Sequence, residues 1–126
     1  VMARTFLDQV SAFADDEACP ASLRESLAAA HGCLAEATDL VLTRSGEDPA
    51  LTGAVAADYL ELTGLVAYAW MWARMAGAAR EDGAFPASKR ATAEFFFARL
   101  LPQSEALRRR IDSGSAPVTR FDDALM

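Results

Sequence analysis

The chain has 126 residues, a length that fits one domain, and apolar residues make up 52% of it, which argues against a disordered chain. Its net charge of −6 gives little support to a nucleic-acid partner. The charge is uneven, because residues 1–63 carry three Arg against eleven Asp and Glu, and residues 64–126 carry nine Lys and Arg against seven Asp and Glu. We interpret this pattern as solvated helix faces with ion pairs between the two halves; the alternative is a surface that docks a partner domain.

Helical spacing of the apolar residues predicts four helices, and no segment has the alternation of a strand. The first helix covers residues 3–15. The second covers residues 23–43, with Ser22 and Glu25 spaced as a capping box at its start and Gly46 placed for a left-handed end. Its apolar stripe consists of Leu23, Leu27, Ala30, Leu34, Ala37 and Val41.

The third predicted helix covers residues 49–80, and Asp48 can cap it. The fourth starts after a cap at Ser88 and ends before Gly114, but Pro102 lies inside it and must kink the helix or split it in two. Because the loops between these helices are short, the pattern predicts an all-α fold, an up-down antiparallel four-helix bundle.

The bundle domain is predicted to cover residues 1–113. The remaining residues, 114–126, form a tail without periodicity, which we expect to be poorly ordered unless it docks on something. The antiparallel register of the third and fourth helices predicts two ion pairs, each worth under about 1 kcal/mol if exposed. These pairs join Arg74 to Glu94 and Asp58 to Arg110.

Residues 58–76 contain both Trp and both Tyr residues of the chain, and three interpretations of this segment compete. A membrane span fails on length, because only twelve uncharged residues separate Glu61 from Arg74 and a span needs about 20. A helix buried between neighbours fits better, since its apolar residues form two stripes. The first stripe is Val55, Tyr59, Leu62, Val66, Ala69 and Ala73, and the second is Leu65, Tyr68, Trp72, Met75 and Ala79.

Small residues of the same helix would let neighbouring helices approach closely. They are Gly53, Ala56, Ala57, Gly64 and Ala67. Each glycine costs about 1 kcal/mol of helix propensity relative to Ala, so packing has to compensate. The third interpretation is a ligand-binding bundle that uses Tyr59, Tyr68 and Trp70, although aromatic residues at helical spacing are more often core residues.

The sequence shows no constellation of catalytic residues. The motifs GxGxxG, GxxxxGK[ST], GxSxG and HExxH are absent. His31, the only histidine, lies two residues from Cys33, a spacing that does not share a helix face, and Cys19 and Cys33 form no CxxC motif. We therefore predict two reduced thiols in a cytoplasmic protein, and no catalytic, cofactor-binding or metal-binding residue in this chain.

Three segments stand in a distinctive order: DYLELTGLVAYAWMWARMA, then F-x-x-S-K-R-A-T-A-E-F-F-F-A-R-L-L-P, then L-x-x-x-I-x-x-G. From Asp58 to Gly114 this order resembles the extra C-terminal domain of the acyl-CoA dehydrogenase family, in its phenylacyl-CoA and methylmercaptopropionyl-CoA dehydrogenase-like subgroup. The tail GSAPVTRFDDALM resembles the end of such enzymes. A weaker match through RTFLDQV extends the resemblance over nearly the whole chain.

The resemblance implies a flavoprotein in which a glutamate abstracts the α proton of an acyl-CoA and FAD accepts the β hydride. The resemblance implies that the glutamate and the FAD site lie upstream of this region. Val1 is not an initiator methionine and the helical pattern begins at once, so we expect the chain to be a piece of a larger protein. We expect an accessory domain that partners the rest of the parent dehydrogenase or further copies of it, with no nucleic acid and no membrane. The alternative is a stand-alone helical interaction or dimerisation module without catalysis.

Overall fold

The computed structural model describes residues 2–78 and 84–120, and these residues form helices and loops without a strand. The all-α prediction is therefore confirmed for this part of the chain. Residues 79 and 80, which end the predicted third helix, and the last six residues of the tail lie outside the described residues. The helices are α1 (Met2–Ala14), α2 (Ala21–Arg44), α3 (Leu51–Ala78), α4 (Ala84–Arg99), α5 (Gln103–Asp112) and the single-turn α6 (Ala116–Thr119).

The two ends of α2 differ from the sequence prediction. The helix starts at Ala21 behind Pro20, which makes no side-chain cap, so the predicted capping box of Ser22 and Glu25 is wrong. The ring of Pro20 fixes its φ angle at a value suited to the start of a helix. Its carbonyl accepts the Leu23 N–H at 3.0 Å, which begins the first turn.

The end of α2 needs no left-handed residue. The carbonyl of Arg44 already accepts the N–H groups of Glu47 and Asp48, at 3.0 and 2.9 Å, so the last turn closes without one. The predicted left-handed Gly46 is therefore wrong. Among the described residues, the glycine with a positive φ is Gly114, at 74°, and it ends α5 as predicted.

Helix α4 begins at Ala84, so the predicted cap at Ser88 is wrong: Ser88 lies inside the helix and its carbonyl accepts the Thr92 hydroxyl at 2.9 Å. The earlier start is possible because Pro86 falls in the first turn, where a backbone N–H would lack a helical partner anyway. Pro102 splits the predicted fourth helix in two, which was one of the two expected outcomes.

Helix α3 lies at the centre of the fold and packs against α2, α4 and α5. Its predicted first stripe is confirmed as core, with Tyr59 partly buried and the others buried. The predicted second stripe is not a buried stripe: Tyr68 is 58% exposed, and Leu65, Trp72 and Met75 are partly buried. The stripe of α2 is buried except for Val41, which is partly exposed. Because α3 is apolar nearly all round, its sequence alone does not say which side meets the core.

Ion pairs connect the acidic first half of the chain to the basic second half, as interpreted from the charge pattern. The predicted pair of Asp58 and Arg110 forms at 2.8 Å, with the Asp58 side chain 15% exposed. Glu36–Arg108, at 3.5 Å, follows the same pattern, whereas Arg44–Asp112, at 3.9 Å, joins the halves with the opposite polarity.

The predicted pair of Arg74 and Glu94 is wrong. The Arg74 guanidinium lies over the Trp70 ring, 5.0 Å from its centroid. Lys89 Nζ lies 5.8 Å from the centroid of Trp72, so this part of α3 lies beside the first turns of α4. Because α3 and α4 are antiparallel, Arg74 and Glu94 lie on opposite sides of the contact between Trp72 and Lys89. They are therefore about 10 Å apart along the helix axes.

Part of the tail is held against the bundle. Ser115 is buried and donates a hydrogen bond to Asp48, and α6 follows it. The side chain of Asp48 therefore binds the tail, while its backbone carbonyl accepts the Leu51 N–H at the start of α3. Helix α3 begins two residues later than predicted.

Candidate functional site

Cys33 lies at the contact between α2 and α5, beside two carboxylates and a guanidinium. Its thiol donates a hydrogen bond to Glu105 Oε1 at 3.4 Å, and Arg108 lies between Glu105 and Glu36, at 3.4 and 3.5 Å. Burial, together with the hydrogen bond to Glu105 and its charge, raises the pKa of the Cys33 thiol to about 11. The thiol is therefore neutral at neutral pH and is a poor nucleophile.

The other titratable residues singled out in the sequence have structural surroundings. His31 Nε2 lies 2.9 Å from the carbonyl oxygen of Leu7, which ties α2 to α1. Cys19 is buried, and burial raises the pKa of its thiol. Both cysteines are free. Within residues 2–78 and 84–120 no three His, Cys, Asp or Glu side chains gather as metal ligands.

The three aromatic residues of the ligand-binding hypothesis do not converge on one pocket. The hydroxyl of Tyr59 is 2.7 Å from the Thr38 hydroxyl, between α2 and α3. Trp70 packs edge-on against Phe6 of α1, with ring centroids 5.7 Å apart, and Tyr68 points to solvent. The hypothesis of a site made of Tyr59, Tyr68 and Trp70 is wrong for the described structure, because Tyr59 and Trp70 have different neighbours and Tyr68 faces solvent.

The side of α3 that faces away from the core is the largest unexplained feature. Apolar residues at steps of three and four positions form what we call the outer stripe, and all of them are exposed or partly exposed. The outer stripe consists of Gly53, Ala57, Leu60, Gly64, Ala67, Met71, Met75 and Ala78. Leu60 is 73% exposed and Met71 49% exposed. The sequence contains this third apolar spacing, which shares only Met75 with the two predicted stripes.

Two glycines of the outer stripe have open space beside them among the described residues. A Cβ atom built on Gly53 or Gly64 would meet nothing within 4 Å. The expectation that the small residues of α3 admit neighbouring helices of this bundle is therefore wrong for these two positions. Their cost in helix propensity, about 1 kcal/mol each, is not offset by packing within the described chain.

Comparison with known families decides the relationship. The family described as acetyl-CoA dehydrogenase C-terminal like matches residues 6–122, which is most of the chain. The chain belongs to this family. Comparisons with curated proteins and with solved structures give no significant match. The predicted kinship with the C-terminal domain of acyl-CoA dehydrogenases is thus confirmed at the level of the family.

The acyl-CoA dehydrogenase family implies FAD, and a flavin would need a groove of matching chemistry. The groove beside Cys33 is lined by small α2 residues and by Phe97, Leu101 and Pro102, with Glu105 as its charged group. A flavin pyrophosphate needs backbone N–H donors or cations, and the lining of this groove offers a carboxylate instead. The groove therefore does not fit FAD.

Within residues 2–78 and 84–120, the chain has no helix that is both long enough and apolar enough to cross a bilayer. Helix α3 is long enough, but charged residues interrupt its apolar part at Glu61 and Arg74.

Proposed function

We propose that this chain is the accessory C-terminal helical domain of an FAD-dependent acyl-CoA dehydrogenase, which forms a Cα–Cβ double bond in an acyl-CoA thioester. The family match over residues 6–122 carries this proposal. The phenylacyl-CoA and methylmercaptopropionyl-CoA dehydrogenase-like subgroup is the finer proposal, and the residue order from Asp58 to Gly114 supports it. FAD and the catalytic glutamate then belong to another part of the polypeptide, and no residue of this chain is catalytic.

We further propose an up-down antiparallel bundle over residues 1–113, with the tail attached to it. The order of contacts supports this topology. The contacts show that α1 and α2 run in opposite directions, and that α2 and α5 run in the same direction. Helix α3 runs in the opposite direction to α4 and α5. The pairs are Arg4–Asp39 and Leu7–His31, then Cys33–Glu105 and Arg44–Asp112, then Trp72–Lys89 and Asp58–Arg110.

The role of the domain is to pack on the catalytic core or on a subunit interface of a cytoplasmic enzyme. Its apolar outer stripe supports such packing, because water-exposed helices of monomers seldom carry so long an uncharged face. The competing proposal, a stand-alone dimerisation module, draws on the same stripe. It differs in requiring no flavin-containing neighbour.

The test compares the polypeptide encoded by the whole gene with the 126-residue chain alone. We expect flavin absorbance and acyl-CoA-dependent reduction of an electron acceptor from the former, and a colourless, inactive product from the latter. A whole polypeptide without flavin would refute the dehydrogenase assignment. Flavin bound by the 126-residue chain itself would show that the cofactor site had been misplaced.

A further inference from the structure

Large apolar side chains on the outer stripe face solvent along most of α3. Leu60 and Met71 are 73% and 49% exposed, and Tyr68 at the edge is 58% exposed. The charged residues of this side of α3 are Glu61 and Arg74, one at each edge of the stripe, and none lies along its centre. An exposed apolar surface rimmed by charges is typical of an interaction site.

Gly53 and Gly64 indicate the shape of the surface that binds to the outer stripe. Gly53 and Gly64 lie inside a long helix, where glycine is disfavoured, and no atom of the described chain approaches their Cβ positions. A glycine on a helix surface lets another backbone approach closely. The partner is therefore expected to present an apolar helix or ridge whose side chains fill the space beside these two glycines.

The size of the stripe distinguishes the possible occupants. From Gly53 to Ala78 the stripe is about 39 Å long and about 10 Å wide, or about 400 Å². A stable complex between separate molecules buries about 800 Å² per partner, so a second copy docked by this stripe alone would be held weakly. An interface between domains of one chain can be half that size, because the linker keeps the two surfaces together.

We propose that the outer stripe docks on an apolar helical surface of the dehydrogenase portion of the same polypeptide, with close backbone approach at Gly53 and Gly64. This inference rests on the proposed function, since it names the neighbour that the family match implies. It adds which side of the domain makes the contact. The face of α2 that carries the exposed Ala28 stays open to solvent.

The test labels cysteines in the native polypeptide encoded by the whole gene. Leu60→Cys reports on the outer stripe, and Ala28→Cys is the matched control on an exposed α2 position. Each labelling rate is divided by the rate in denaturant. Native Cys19 and Cys33 are 1% and 4% exposed, so they stay unlabelled while the fold is intact. Flavin absorbance is read on the same preparation.

We expect labelling of Leu60→Cys to be at least about tenfold slower than that of Ala28→Cys. Adding Gly64→Leu should restore the rate, because the larger side chain blocks the close approach at a position where a Cβ atom meets no other described atom within 4 Å. Equal rates at the two positions overturn the proposal, as does protection that disappears when the protein is diluted to a monomer, which would identify a second copy as the occupant. Protection in a preparation without flavin would refute the proposed function instead, by showing a neighbour that is not a dehydrogenase.

Discussion

Gly77 and Gly64 of α3 have opposite surroundings, and the difference predicts opposite effects of the same substitution. A Cβ atom on Gly77 would overlap the carbonyl oxygen of Ala18, a backbone atom in the loop between α1 and α2. A Cβ atom on Gly64 would meet nothing within 4 Å. Gly77 is thus a glycine that the fold itself requires, since it lets the α1–α2 loop lie against α3.

We expect Gly77→Ala to lower the free energy of unfolding by about 1–3 kcal/mol, because the loop must move away from α3. Gly64→Ala is the control and should raise it by about 0.5–1 kcal/mol in the 126-residue chain, through helix propensity alone. Urea denaturation followed by circular dichroism measures both. A neutral or stabilising Gly77→Ala would contradict the close contact with Ala18.

The raised pKa of Cys33 predicts a pH dependence of stability with a defined sign. The thiol has an ordinary value of 9.0 and a folded value of about 11, so it stays neutral in the folded chain after it ionises in the unfolded one. The stabilisation is complete below pH 9.0 and is lost as the pH rises through about 11.

We therefore expect the wild-type free energy of unfolding to fall more steeply than that of Cys33→Ala between pH 9.0 and about 11. Glu105→Gln should reduce the extra slope without abolishing it, because burial, the larger cause, remains. Denaturation series across this pH range measure the slopes. Parallel curves for wild type and Cys33→Ala would contradict the assignment.

At the scale of elements, the aromatic side of α3 is neither core nor free surface. Trp72 is partly buried against the core, and Lys89 Nζ lies 5.8 Å from its ring centroid, so this residue links α3 to α4. Tyr68, one helical turn earlier, is 58% exposed. Trp72 and Tyr68 both belong to the predicted second stripe, but only Trp72 packs against the core and can contribute substantially to the stability of the fold.

We expect Trp72→Ala to cost about 1.5–3 kcal/mol of unfolding free energy, which is less than a fully buried ring would cost. Tyr68→Ala, the matched control, should cost less than about 1 kcal/mol in the 126-residue chain. Equal losses at the two positions would show that the α3–α4 contact does not depend on Trp72. Thermal or urea unfolding of the two variants decides this.

At the scale of the whole molecule, the outer stripe should dominate the apolar surface of the isolated chain. Leu42, Phe95 and Val118 are also exposed, at 63%, 60% and 58%, but each lies on a different helix, α2, α4 or α6, and not on α3. A contiguous surface binds hydrophobic dyes and promotes association, whereas scattered residues do so weakly.

The double substitution Leu60→Gln with Met71→Gln is therefore expected to remove at least about half of the dye fluorescence of the 126-residue chain. The matched double substitution Leu42→Gln with Val118→Gln should have a much smaller effect. Fluorescence titration at equal protein concentration makes the comparison. Equal reductions by the two pairs would mean that the outer stripe is not a distinct surface.

Much of the bundle followed from the sequence because its signals are local. Apolar spacing of three and four positions identified the α2 stripe and the first α3 stripe as core, and Pro102 and Gly114 marked a break and an end. The pair of Asp58 and Arg110 also followed, since an antiparallel register fixes which turns face each other. The family was also recognisable from the sequence, because the order of residues can be read without knowing the fold.

The tertiary structure decided what depends on distant contacts. Helix α3 is apolar nearly all round, so only its packing against α2, α4 and α5 shows that the outer stripe is the side left open. The hydrogen bonds of Cys33 to Glu105 and of Ser115 to Asp48 join residues far apart in sequence, and no local spacing encodes them. Periodicity determines that a helix has an apolar side; only the arrangement of its neighbours determines which side is covered.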